Sequence, residues 1–346
     1  MKLSKLVLAL GAAASVAFSA SAFAADQMHI NVVAKGFQHQ FWKAVEQGTQ
    51  QAAKEFNVSV DFQGPDNESN IAQQVEYLNA AIATKPAAIC LAALDTRAML
   101  DSIQMAMDEG IPMIGFDSGV PDAPEGAIKA TASTDNTAAG GLAAAELKKL
   151  IQAKLDAATP DKPVRIGVIA QESNSQSIVS RTKGFVDAFV AAVGKDKVSV
   201  EGHDSLRAKV KGASVILDVG IPAEVKDVDA AAVASAILEK KDIIAVYGSN
   251  EFATNAIITA NEGLDVLGSD KVIAVGFDAG TKVLDAMEDG VLTGAVTQNP
   301  VQIGYQAVRL AVDAVNGKPV QDVDTGALWY TKENMNDPEI SVCLYR

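Results

Sequence analysis

Short apolar runs that alternate with longer amphipathic stretches constrain this chain more than any other feature. After residue 28 the alternation is nearly unbroken. Strand-like runs at Ile30–Ala34, Val58–Phe62, Ala88–Leu91 and Pro112–Phe116 are separated by helically spaced segments at Phe41–Phe56, Asn70–Thr84 and Met99–Glu109. A second series follows, with a helix at Ala138–Ala157, a strand at Val164–Ala170, a helix at Arg181–Val193 and strands near Val198 and Val215. A helix at Ala230–Lys240, a strand at Ile243–Tyr247 and a helix at Phe252–Asn261 come next. The series closes with a strand at Val272–Phe277, a helix ending at Asp289, a strand at Leu292–Thr297 and a helix at Gln302–Asn316. Strands apolar on both faces leave no side for water. Helices must therefore cover both faces of parallel sheets built from βαβ units. About ten such units exceed one open sheet, so an α/β protein of two Rossmann-like lobes is expected.

An internal echo supports two lobes. Ile111-Pro112-Met113-Ile114-Gly115-Phe116-Asp117-Ser118-Gly119 resembles Val272-Ile273-Ala274-Val275-Gly276-Phe277-Asp278-Ala279-Gly280. Each is an apolar strand that ends in Gly-Phe-Asp and a glycine turn. In parallel α/β sheets ligands sit beyond the carboxyl ends of the strands, so the echo places one carboxylate at the functional edge of each lobe. Asp117 and Asp278 are the first candidate ligand contacts.

The N-terminus has the pattern of an export signal. Lys2 and Lys5 precede an apolar run from Leu6 to Ala17, and Ala22-Phe23-Ala24 offers a small-residue cleavage site ahead of Ala25. Roughly 12 apolar residues are too few to span a bilayer, and no cysteine follows the site to carry a lipid. Export to the periplasm as a soluble protein is expected. Loss of Lys2 and Lys5 takes the formal net charge from −14 to −16, which argues against nucleic acid or anionic membranes as partners. Cys90 lies in the apolar run Ala88-Ile89-Cys90-Leu91, far from Cys343, and two separate thiols are favoured over a disulfide.

A set of short segments then resembles one family in its order. The aromatic pair Phe41-Trp42 opens the first helix, a Gly-Phe-Asp strand end follows, and Thr134-Asp135-Asn136 precedes a glycine-containing helix. Arg181-Thr182-Lys183-Gly184-Phe185, Val246-Tyr247-Gly248-Ser249-Asn250-Glu251, Val275-Gly276-Phe277-Asp278 and Thr297-Gln298-Asn299-Pro300 complete the series. The chain resembles the type I periplasmic binding proteins of the ribose- and galactose-binding group over essentially its whole mature length. The resemblance implies two lobes joined by three crossovers, near Asp135, near Gln298 and near Trp329-Tyr330. One lobe then comprises residues 25–134 and 299–328, and the other 135–298 and 329–346, after a signal peptide at 1–24. It further implies a small polyhydroxylated ligand, a monosaccharide or sugar derivative, held between the lobes for an ABC permease.

The residue types suit that ligand. Phe41 and Trp42 would cover the C–H face of a sugar ring. Asp117 and Asp278 would accept from hydroxyls, Arg181 at the start of its helix would donate, and Asn250 and Gln298 would do both. Gln38, His39 and Ser118 are further candidates beside them. Two features depart from the family pattern. Ser118 stands where ribose binders carry an arginine, and the segment Ala223–Asp229 lacks the aromatic that usually forms the second wall. The stretch from His203 to Ile221 is also longer than is usual in the family.

Enzyme signatures are absent: the chain has no G-x-S-x-G, H-E-x-x-H or C-x-x-C, and Gly276–Lys282 lacks P-loop spacing. The three histidines, His29, His39 and His203, are too scattered for a zinc site, and no calcium-loop pattern occurs. No cofactor or metal is expected, and the protein should be a monomer. A sensory receptor of the same fold, addressing a chemoreceptor or sensor kinase, is the alternative to transport. A repressor of this fold would need an N-terminal helix-turn-helix where the signal segment stands.

Overall fold

The computed structural model describes residues 27–37 and 39–346. The expected signal segment and Gln38 lie outside them. In chain order the first elements are β1 (His29–Val33), α1 (Gln40–Phe56), β2 (Ser59–Gln63), α2 (Ile71–Ala83), β3 (Ala88–Leu91), α3 (Leu100–Asp108), β4 (Met113–Phe116) and β5 (Ile128–Ser133). Then come α4 (Asn136–Asp156), β6 (Val164–Ile169), α5 (Gln176–Val193), β7 (Val198–Glu201), β8 (Val215–Gly220), α6 (Asp227–Leu238) and β9 (Ile243–Gly248). The last are α7 (Glu251–Leu264), β10 (Ile273–Phe277), α8 (Thr281–Glu288), β11 (Gly294–Gln298), α9 (Pro300–Val315), β12 (Val323–Asp324), β13 (Ala327–Tyr330) and α10 (Pro338–Ser341).

These strands form two sheets, ordered β12-β5-β4-β3-β1-β2 and β13-β11-β10-β9-β6-β8-β7. Every pairing is parallel except β11 with β13. The central strands β3, β4 and β10 are buried along their whole length, as the apolar runs require. Helices cover both faces of each sheet, which makes two Rossmann-like lobes of the type I periplasmic-binding-protein architecture. The chain leaves the first sheet after Ser133, returns to that lobe at Asn299 with α9, and passes to the second sheet between β12 and β13. The first and third passages are tied together: Thr325 N–H donates to Ser133 O (3.0 Å) and Asp135 N–H donates to Asp324 Oδ1 (3.0 Å).

Besides β12, β13 and α10, for which the sequence carried no expectation, three details differ from the sequence reading. The third passage falls at Thr325–Gly326 rather than at Trp329-Tyr330, because Trp329 and Tyr330 already pair with Val296 and Ala295 of β11. β5 is a strand of small alternating residues, Ile128-Lys129-Ala130-Thr131-Ala132-Ser133, without the continuous apolar run used to find the others. Finally α5 begins at Gln176, so Arg181 lies in its second turn rather than at its start. The polar sequence Gln176-Ser177 conceals that first turn. The two thiols do not pair: Cys90 is buried in the core of the first lobe and Cys343 near the C-terminus.

Each lobe brings two helices into backbone contact through glycine. A Cβ on Gly48 of α1 would lie 1.9 Å from Val301 O of α9, and one on Gly304 would lie 2.0 Å from Val45 O. In the second lobe a Cβ on Gly140 of α4 would meet Arg181 O of α5 at 2.1 Å, and one on Gly184 would meet Thr137 O at 2.3 Å. The α4–α5 contact fixes the height of Arg181 above the sheet. Gly140→Ala should therefore cost about 1–3 kcal/mol through overpacking, read as a lower urea midpoint, and should weaken ligand binding by displacing Arg181. An unchanged midpoint would show that the helices separate freely.

Candidate functional site

The two Gly-Phe-Asp strand ends meet across the cleft. Asp117 follows β4 and Asp278 follows β10, and both adopt left-handed backbone conformations, with φ of 54° and 69°. Aspartate tolerates this region better than most residues, and its cost is typical of functional positions. The turns are alike. Asp117 N–H donates to Ala132 O (3.0 Å) and Asp278 N–H to Val296 O (2.7 Å), each on the neighbouring strand of its sheet. The left-handed residue turns the chain at the sheet edge, and both carboxylates line one cavity.

Around Asp278 the second lobe builds a fixed network. Gln298 Nε2 donates to its Oδ1 (2.7 Å) and the Glu251 N–H to its Oδ2 (3.1 Å). Arg181 Nη1 approaches Oδ2 at 3.8 Å. Arg181 is only 2% exposed, so its charge must be met from within. Its Nε and Nη2 donate to Asn136 Oδ1 (3.1 and 2.7 Å), its Nη1 donates to Ser249 O (2.9 Å), and its guanidinium lies 3.8 Å from the Phe277 ring centre. These contacts, with the cation–π pairing, make the buried charge tolerable. Asn250 caps α7 by accepting from Ala253 N–H (3.0 Å), which fixes its side chain at the cleft.

The first lobe contributes two charged residues that sequence reasoning missed, Lys35 after β1 and Glu68 after β2. Both are buried. Lys35 Nζ lies 3.1 Å from Asp117 Oδ2, held by charge rather than by an aligned hydrogen bond, and donates to Ser177 Oγ of the other lobe (3.2 Å). It also sits 5.8 Å from the centre of the Trp42 ring. Glu68 Oε1 accepts from Trp42 Nε1 (2.7 Å) and Oε2 from Gln171 Nε2 (2.8 Å). Phe41 and Trp42 meet edge to face at 5.0 Å. In sequence, Lys35 is one cation beside a glycine and Glu68 one acid in a polar loop, so neither stands out.

Most of the expected residues gather here. His39, Phe41, Trp42, Asp117, Arg181, Asn250, Asp278 and Gln298 line one cleft, joined by Lys35, Glu68, Ser177, Ile178 and Glu251. Ser118 stands outside this lining, and its Oγ accepts from Ser177 N–H (3.2 Å) across the lobes. No residue of Ala223–Asp229 reaches the cavity, and Ile178 is the apolar contribution of the second lobe. The stretch from His203 to Ile221 also stays away from it. The lobes are closed over the cavity by further bonds, among them Gln176 Oε1 accepting from Gly119 N–H (2.9 Å) and Gln40 Oε1 accepting from Thr281 N–H (2.8 Å). Two buried acceptors of the lining, Asp117 Oδ2 and Gln298 Oε1, have no hydrogen-bond donor among the described residues.

Burial sets the protonation of the site. It would push Glu68 up, but the Lys35 ammonium, His39 and the Trp42 and Gln171 donors together hold it below the ordinary carboxylate value. Burial lowers His39, which favours its neutral form. It raises Asp278, an effect opposed by Arg181, Gln298 and the Glu251 N–H. Glu251 is pushed up to about 8 by burial and then by neighbouring Asp278. The unfolded chain releases that proton near 4.5, so Glu251 lends stability that is complete below about 4.5 and is lost as pH rises toward about 8. Unfolding followed across this window should show wild type losing more stability than Glu251→Gln. Parallel pH profiles would assign the proton elsewhere.

Among the described residues no group of three or more histidine, cysteine or acidic side chains is placed to hold a metal, and no helix is long and apolar enough to cross a membrane. Several known proteins are similar to this chain along most of its length. The D-allose-binding periplasmic protein of Escherichia coli (strain K12) is 25% identical over 319 residues, covering 91% of this chain and 92% of its own length. Among solved structures, a Brachyspira murdochii protein described as an ABC transporter and LacI family transcriptional regulator superposes with a TM-score of 0.78 at 35% identity, over 92% of this chain and 99% of its own. An ABC transporter solute-binding protein from Agrobacterium vitis with bound D-fucose superposes with a TM-score of 0.77 at 27% identity, over 92% and 100%. The model of the periplasmic binding protein domain matches residues 30–319, and the chain belongs to that family.

Proposed function

We propose that this protein is the substrate-binding component of an ABC importer, capturing a neutral monosaccharide or similar polyol in the periplasm by lobe closure and handing it to the permease. The observation that carries this reading is the pair of left-handed aspartates, one from each lobe, lining one cavity with Arg181, Asn250 and Gln298. A ligand touching both lobes stabilises the closed form by the difference in its contacts between open and closed states. Hydroxyls donate and accept at once, and Asp117 Oδ2 and Gln298 Oε1 are acceptors that a hydroxyl would satisfy. The aromatic pair Phe41 and Trp42 supplies the apolar wall for a ring face. The D-allose and D-fucose binders lend support to a monosaccharide.

Charge narrows the class further. Lys35 and Arg181 face the carboxylates of Glu68, Asp117 and Asp278, with Glu251 held largely protonated at neutral pH. The lining therefore has no spare positive charge for an anion. A thermal-shift panel on the mature protein should show stabilisation by one or more aldoses, deoxysugars or cyclitols, and none by uronates or sugar phosphates. Stabilisation by the anions alone would overturn the assignment. With the sugar identified, Arg181→Ala and Asp278→Ala should each cost about 1–3 kcal/mol of binding, roughly 5- to 150-fold in Kd by titration calorimetry. Wild-type affinity in both variants would place the ligand elsewhere.

A further inference from the structure

We propose that Glu68 and Gln171 form the latch between the lobes, and that Gln171 is a positioning residue that sets how long ligand stays bound without touching it. The proposal rests on the binding reading above. Glu68 belongs to the first lobe, after β2, and Gln171 to the second, after β6. Both are buried, at 6% and 1% exposure. Gln171 Nε2 donates to Glu68 Oε2 (2.8 Å), and Gln171 Oε1 accepts from Asn250 Nδ2 (2.6 Å). On one side Glu68 Oε1 accepts from Trp42 Nε1 (2.7 Å), and on the other Asn250 Oδ1 accepts from Ala253 N–H (3.0 Å). Trp42, Glu68 and Asn250 line the cavity, whereas Gln171 does not.

The line has one consistent polarity. An ionised carboxylate only accepts and a backbone N–H only donates, so the two ends force the orientation of both amides between them. Gln171 must turn its NH₂ to Glu68 and its oxygen to Asn250. Asn250 must then turn its own oxygen to the start of α7. Closure thus joins the indole of the aromatic wall to an amide at the opposite side of the cavity through a charge-assisted bond. Within this line opening breaks the Glu68–Gln171 link alone, because its other bonds stay within one lobe, while the separate bonds between Gln40 and Thr281 and between Gly119 and Gln176 open beside it.

The test uses the full mature protein and a sugar taken from the panel. Stopped-flow fluorescence should show Gln171→Ala releasing sugar roughly tenfold faster, with association within about twofold of wild type. Gln171→Glu, which is nearly isosteric, should release faster still because it sets carboxylate against carboxylate. A merely structural role predicts the reverse order, with the smaller alanine the more harmful. The indole N–H resonance of Trp42, one of two tryptophans in the chain, should persist in both variants, since its bond to Glu68 lies within one lobe. Small-angle scattering of the sugar-free protein should show a larger mean radius of gyration in Gln171→Glu than in wild type. Wild-type release rates in both variants, or alanine more harmful than glutamate, would overturn the latch. If no sugar binds wild type, the sugar reading fails alone, and unchanged scattering in Gln171→Glu would then overturn the latch.

Discussion

A charge removed from water must find its partners inside the protein, and the cleft between these lobes buries Lys35, Glu68, Asp117, Arg181 and Asp278 together. Each is matched by an opposite charge or by fixed dipoles. None is matched within its own secondary-structure element. Arg181 of α5 depends on Asn136 from α4, on Ser249 after β9 and on Phe277 of β10. Asp278 depends on Gln298 after β11 and on the start of α7. The loops at the carboxyl ends of the strands therefore hold one another in place. Displacing one strands a buried charge in another.

That interdependence explains why the scaffold is so tightly built behind the site. Reciprocal glycines press α4 onto α5 and α1 onto α9 at backbone distance, and each pair supports a wall of the cavity. The α1–α9 contact backs the helix that begins beside Phe41 and Trp42. The α4–α5 contact backs Arg181. Tyr330 adds a further brace by donating from its hydroxyl to Asp278 O (2.6 Å). Rigid lobes with a few bonds between them are what a closing receptor needs, because ligand contacts then shift the hinge equilibrium rather than deform the walls.

The sequence carried the fold where burial is two-sided and continuous. β3, β4 and β10 are uninterrupted apolar runs because no face of them meets water, and the helices between them show their period for the opposite reason. β5 escaped because alternating alanines and hydroxyl residues carry little apolar signal, although Ala130 and Ala132 are buried. The first turn of α5 escaped because Gln176 and Ser177 are polar and their side chains meet the opposite lobe, Gln176 Oε1 accepting from Gly119 N–H and Ser177 Oγ from Lys35 Nζ. Asp117 and Asp278 were visible through their repeated context. Lys35 and Glu68 had no repeat to mark them.

The order of strands and helices, the repeated Gly-Phe-Asp turn and the residue types suited to a polyhydroxylated ligand are written in the sequence itself, since they depend on local periodicity and on side-chain chemistry. Which charges face each other was decided by the tertiary structure alone. Lys35 finds Asp117, Glu68 finds Gln171 and Arg181 finds Asn136 only when separate strand ends come to one edge and the lobes close. Partners so far apart along the chain leave no local pattern, because their pairing is a property of the closed cleft.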